Sequence, residues 1–208
     1  MSQLRIESLS YMGRPTFDLF IDHGECISLS GPSGSGKSLL LRALADLDEH
    51  QGRIYLDQRE CSEFSAPKWR KQVGLLMAES SWWFDTVGAH FNDLEHSDTM
   101  NDWLTQLHFD PDVMNWQVNR LSTGEKQRLA IVRLLANRPR ALLLDEPTAS
   151  LDQKNIIKAE NLLTSYRKEN KAPAIWVSHD PEQEKRVASR HFLIKGEQII
   201  EANYGRSQ

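Results

Sequence analysis

Gly31-Pro32-Ser33-Gly34-Ser35-Gly36-Lys37-Ser38 constrains this chain more than any other stretch. The apolar run Cys26–Ser30 precedes it and a helical run from Leu39 follows, so a strand feeds a glycine loop that opens into a helix. Glycine lets such a loop curl until several backbone N–H groups converge on one point. The helix start adds its partial positive charge there. The loop therefore reads as a phosphate cradle. Lys37 is placed to reach the terminal phosphates, and the Ser38 hydroxyl to bind Mg²⁺.

A cradle of this kind sits at the edge of a sheet. Strands are expected at Leu4–Leu9, Phe17–Ile21, Cys26–Ser30, Arg53–Leu56, Val73–Met77, Ala141–Leu144, Ala174–Val177 and Phe192–Ile194. The runs at 141–144 and 174–177 are apolar without alternation, as in a parallel sheet covered by helices on both faces. The N-terminal third reads as antiparallel, with a turn at Asp22-His23-Gly24-Glu25, and residues 192–201 read as a hairpin about Gly196-Glu197. From about 79 to 127 the pattern turns helical, at Met100, Trp103, Leu104 and Leu107. The expected fold class is α/β within a single domain spanning 1–208. A P-loop core of mainly parallel sheet is flanked by helices, with an N-terminal antiparallel β part and a helical subdomain inserted at about 79–127. In that insert Trp103 and Trp116 read as core. Trp82-Trp83-Phe84 is too dense to be all core and offers an apolar docking patch.

The second chemical element is Ala141-Leu142-Leu143-Leu144-Asp145-Glu146, an apolar strand that delivers two carboxylates at its C-terminal edge. Asp145 suits the shell of Mg²⁺. Glu146 points the other way along the strand and is placed to polarise an attacking water. The charge balance narrows the partners. With 25 Lys and Arg against 29 Asp and Glu, the net charge is −4, which disfavours nucleic acid as a partner. No apolar run approaches the roughly 18–20 residues that cross a bilayer, so any membrane-spanning part belongs to another chain. Cys26 and Cys61 have no metal-ligand spacing and read as packed, reduced thiols. The start, Met-Ser-Gln-Leu-Arg, lacks the charged and apolar parts of a signal peptide, and both features fit the cytosol.

Leu121-Ser122-Thr123-Gly124-Glu125-Lys126-Gln127-Arg128 closely resembles the signature of ABC-type ATPases, usually written LSGGQ. Ser122 and Glu125 also form a capping box for the helix that follows. The resemblance implies ATP as the nucleotide. It also implies that Ser122 and the Gly124 backbone grip the γ-phosphate held by a second copy, two ATP being sandwiched in a dimer. Pro147–Asp152 resembles the family's loop that meets the opposite subunit. Ser178-His179-Asp180 resembles its switch histidine, which implies that His179 bonds the γ-phosphate and positions water. Tyr11 stands 20 residues before Gly31, about where the family stacks an aromatic ring on adenine. The implied catalytic set is Lys37, Glu146 and His179. The implied protein is an ATP-hydrolysing subunit, peripheral on the cytoplasmic face of the inner membrane, powering a transporter whose transmembrane permease subunit is a separate chain. The shortness of the chain and its runs at 121–128 and 165–170 are similar to bacterial subunits of the iron-export type.

The chain departs from the family pattern in three places. Ala78 stands where the family has a Mg²⁺-touching glutamine, and Glu79 beside it offers the hard oxygen that Mg²⁺ prefers. Thr123 replaces a glycine of the signature, and Glu125 replaces its glutamine. The expectation is ATP binding with slow or tightly gated hydrolysis. A nucleotide-gated binding module with little turnover, and a soluble ATPase outside transport, stay open as alternatives.

Overall fold

The computed structural model describes residues 2–91 and 98–202, and these form two sheets with helices packed on and between them. Strands β1 (Leu4–Tyr11), β2 (Phe17–Ile21), β4 (His50–Leu56) and β5 (Arg59–Glu60) make an antiparallel sheet in the order β2-β1-β4-β5. Strands β3 (Cys26–Ser30), β6 (Val73–Leu76), β7 (Ala141–Asp145), β8 (Ala174–Val177), β9 (Arg190–Lys195) and β10 (Gln198–Glu201) make the second sheet, in the order β10-β9-β3-β8-β7-β6. All its pairings are parallel except the β9–β10 hairpin.

Strand β7 shows why the apolar runs fold as they do. Leu142 and Leu144 face one apolar cluster, and Ala141 and Leu143 face the other. Both faces are covered, so neither can alternate with polar residues. Helices α1 (Lys37–Leu44) and α2 (Ala66–Gln72) belong to the cluster shared with the antiparallel sheet. Trp69 of α2 is fully buried there, its indole N–H donating to the Leu44 carbonyl at 3.0 Å. Helices α3 (Asp98–Gln106), α4 (Thr123–Ala136) and α5 (Gln153–Asn170) cover the opposite face, and α6 (Pro181–Val187) follows β8. No helix among the described residues is long and apolar enough to cross a membrane.

Several sequence readings change. Strand β4 begins at His50 rather than Arg53. Gly52 lies within it opposite a bulge at Ser8, where a methyl on Gly52 would stand 2.4 Å from the Ser8 carbonyl oxygen. Among the described residues, the expected helical insert holds one complete α-helix, α3, and the first turn of α4. The rest is 3₁₀ turns at Gly88–His90, Pro111–Asn115 and Val118–Arg120, and its part at 92–97 lies outside the described residues. Phe91, Met100, Leu104, Leu107, Val113 and Val118 join the same cluster as Leu142, Leu144 and Trp176, so the insert's core is continuous with one face of the sheet. Trp103 packs edge-on against Tyr166 at the margin of that core. Trp116 is not core: it is 39% exposed and meets Phe109 only edge to face. Cys26 and Cys61 are buried free thiols, and burial pushes both up to about 12.

Candidate site at the C-terminal edge of the parallel sheet

Because β3, β6, β7 and β8 run parallel, their C-terminal ends share one edge. The loop at 31–38 leaves β3 there, Glu146 leaves β7 and His179 leaves β8. In the loop, Gly34 and Gly36 hold positive φ angles of 76° and 89°. A methyl on Gly36 would also stand 3.1 Å from the Arg14 guanidinium, so glycine lets that arginine lie against the loop. Pro32, Ser33 and Gly34 are exposed at the rim, whereas Gly36 and Lys37 are buried. The Lys37 ammonium donates to the carbonyls of Gly31 at 2.9 Å and Pro32 at 3.1 Å. It carries three N–H donors, so one remains for a further acceptor. The Ser35 hydroxyl is buried in the loop with no hydrogen-bond partner among the described residues.

Asp145 is buried beside Ser38. Burial pushes its carboxyl above the ordinary range and the Glu146 charge adds to this, while the Ser38 hydroxyl, Lys37 and His179 pull it down. A buried carboxylate facing a hydroxyl fits a small hard cation that draws its remaining oxygens from phosphate. The donor set therefore fits Mg²⁺ as part of a nucleotide complex. Among the described residues no cluster of three or more His, Cys, Asp or Glu could hold a metal by itself. Glu79 is exposed, and no contact among the described residues draws it to Ser38 or Asp145.

Glu146 adopts a left-handed φ of 47°, an uncommon conformation for a residue with a side chain. Its amide is fixed to the Val177 carbonyl at 3.1 Å, and its carboxylate meets the His179 imidazole, Oε1 to Nε2, at 3.0 Å. Strain of this kind persists where surrounding structure enforces it. The pair opens into a cleft of about 310 Å³ lined also by Thr148, Ala149, Ser178 and Gln183.

Ser122 is exposed and caps α4. Its hydroxyl accepts from the Glu125 N–H at 3.2 Å, and the Glu125 carboxylate accepts from the Ser122 N–H at 2.8 Å. The Ser122 hydroxyl also donates to that carboxylate at 2.7 Å, and this bond with the one from the Ser122 N–H holds the Glu125 carboxyl below the usual range, Arg128 assisting. A methyl on Gly124 would stand 3.1 Å from the Ser150 carbonyl oxygen, so glycine permits close approach to the 147–152 loop of the same chain.

The structure does not present Tyr11 as a stacking platform. The ring is 3% exposed, lies in the cluster under the antiparallel sheet and meets Phe17 edge-on at 6.4 Å. Burial raises its hydroxyl, the nearby Arg14 opposing this. Two residues without an individual sequence signal stand at the site. Arg14 lies against the loop and donates to the Gly196 carbonyl at 3.2 Å. Gln127, buried in α4, donates to the carbonyls of Met77 and Pro147, each at 3.3 Å, and so joins the strand end beside Ala78 to the loop after Glu146.

A parallel sheet whose first loop cradles phosphate, with paired carboxylates at the same edge on β7, one strand removed, defines a P-loop nucleotide-hydrolase domain. The ABC transporter family profile matches residues 16–149, well over half of the chain. Protein STAR1 of Oryza sativa subsp. japonica is 32% identical over 196 residues, covering 88% of this chain and 56% of that protein. The phosphate import ATP-binding protein PstB of Aeropyrum pernix is 29% identical over 199 residues, 86% of this chain and 79% of the relative. The lipoprotein-releasing system ATP-binding protein LolD of Leptospira interrogans is 31% identical over 196 residues, 86% and 81%. The chain spans just over half the length of the rice relative and most of the other two. It belongs to the ABC transporter family, and its activity is ATP hydrolysis.

Proposed function

We propose that this chain is the energising subunit of a transporter whose membrane-spanning part is a separate chain, and that two copies close around ATP to complete each other's pockets. The observation that carries the reading is the 3.0 Å Glu146–His179 pair beside the phosphate loop, on the same sheet edge as Asp145 and Ser38. Lys37 exchanges its bonds to Gly31 and Pro32 for the terminal phosphate oxygens. Ser38 and Asp145 would hold Mg²⁺, which when bound would neutralise charge on the transferring group. Glu146 accepts the proton of the attacking water, and His179 holds it in place. Ser122 and Gly124 of the second copy supply donors at the helix start.

The exposed Trp83 (65%) and Phe84, at the margin of the insert, receive the membrane partner, and the chain works at the cytoplasmic face of the membrane. The relatives' names cover phosphate, lipoprotein, tungstate and amino acids, so choice of cargo rests with that partner. Metal export is the cargo class carried by the resemblance at 121–128 and 165–170. The test of the shared pocket is ATPase rate against protein concentration. The reading predicts growth steeper than linear until dimerisation saturates. A strictly linear rate from a monomeric preparation would contradict it.

A further inference from the structure

Gln183, in the first turns of α6, uses its whole side-chain amide. Its Nε2 donates to the Thr148 hydroxyl and to Glu160 Oε1, each at 2.8 Å. Its Oε1 accepts from the Ser178 hydroxyl at 2.8 Å and the Trp176 indole at 3.2 Å. An indole N–H only donates and an ionised carboxylate only accepts, so these neighbours fix which end of the amide faces which. The residue is buried, and Glu160 behind it is held by Arg186 at 2.8 Å and 3.1 Å. Thr148 lies two residues after Glu146. Ser178 lies one before His179, and its hydroxyl also accepts from the Asp180 N–H at 3.0 Å. One amide therefore anchors the loops carrying both members of the 3.0 Å Glu146–His179 pair, on the wall of the same cleft.

We infer that Gln183 is a positioning residue that ties the 147–152 loop to the 178–180 loop and so sets the spacing of Glu146 and His179. The inference rests on the reading that this pair carries hydrolysis. A misplacement on the order of 1 Å in such a pair costs about a hundredfold in rate without weakening substrate binding to the same degree.

The test combines turnover with amide hydrogen exchange in Gln183→Met, Thr148→Val, their double variant, and the swap Gln183→Glu with Glu160→Gln. The tie predicts a tenfold to hundredfold fall in kcat for Gln183→Met, with KM for ATP within about twofold. Losses in the double variant do not multiply, because both changes break one connection. Exchange at 147–151 and 178–180 rises together even in Thr148→Val, which alters only one loop. The swap restores an amide opposite a carboxylate and recovers most of the rate, which also covers the case in which Gln183→Met does not fold. Wild-type kcat in Gln183→Met without a joint rise in exchange, multiplying losses, or faster exchange confined to the mutated loop each overturn the inference. A joint rise in exchange with unchanged kcat upholds the tie and instead removes Glu146 and His179 from the chemistry.

Discussion

Burial decides the role of Tyr11. A ring that is 3% exposed beneath a sheet has no face to offer a base, whatever its distance from Gly31 in the chain. Its hydroxyl is buried, and among the described residues only the nearby Arg14 side chain offers it any compensation. Removing such a group relieves a desolvation cost of roughly 1–3 kcal/mol. Tyr11→Phe is therefore expected to leave the affinity for ATP unchanged and the melting temperature equal or higher. Weaker nucleotide binding with unchanged stability would restore Tyr11 to the site. The placement of Lys37, Ser38, Asp145 and Glu146 at one sheet edge was legible because each belongs to a local motif that is read without knowledge of tertiary contacts. Gln127 and Gln183 were not. A glutamine's role depends on which groups are packed against its amide, and those partners lie up to 50 residues away in sequence, as Met77 does from Gln127.

At the scale of elements, the aromatic knuckle at 82–84 is built on one histidine. His90 Nε2 accepts from the N–H groups of Trp83 at 2.9 Å and Phe84 at 3.0 Å, so its proton sits on Nδ1, 3.0 Å from the Thr86 carbonyl. Trp82, Trp83 and Phe84 pack their rings about it. Burial holds the His90 imidazole below its ordinary value, and the nearby Arg133 charge adds to this against its backbone bonds to Thr86 and Val87. The unfolded chain thus binds the proton first as pH falls. The contribution of neutral His90 is complete above about pH 6.5 and lost below it, down to the lowered folded value. Urea denaturation should show the wild type losing more stability between pH 7.5 and 5.5 than His90→Gln. Equal losses would mean that His90 does not titrate there. This knuckle explains why the insert was only partly legible. Continuous apolar runs announce buried strands such as β7 and β8. A segment held by 3₁₀ turns and one histidine has no single period to read. The same holds for Trp116, which sits at the end of such a turn with its ring outside the core.

For the whole molecule, the order β10-β9-β3-β8-β7-β6 brings the phosphate loop, Asp145, Glu146 and His179 to one edge, while Ser122 heads α4 as an exposed cap. The parallel core, the antiparallel N-terminal part and the closing hairpin were legible from apolar runs and turns. How one copy meets another was not, because a surface complementary to itself leaves no periodic trace. The central claim is that each pocket takes its phosphate loop from one copy and its signature from the other. Its most direct test mixes two variants, Lys37→Ala, which disables the phosphate loop, and Ser122→Arg, which blocks the signature. In a two-fold dimer each mixed pair retains one wholly wild-type pocket, so equal mixing is predicted to restore activity to roughly a quarter of the wild-type rate. A mixture no more active than its separate components, or full activity from Ser122→Arg alone, would contradict the account.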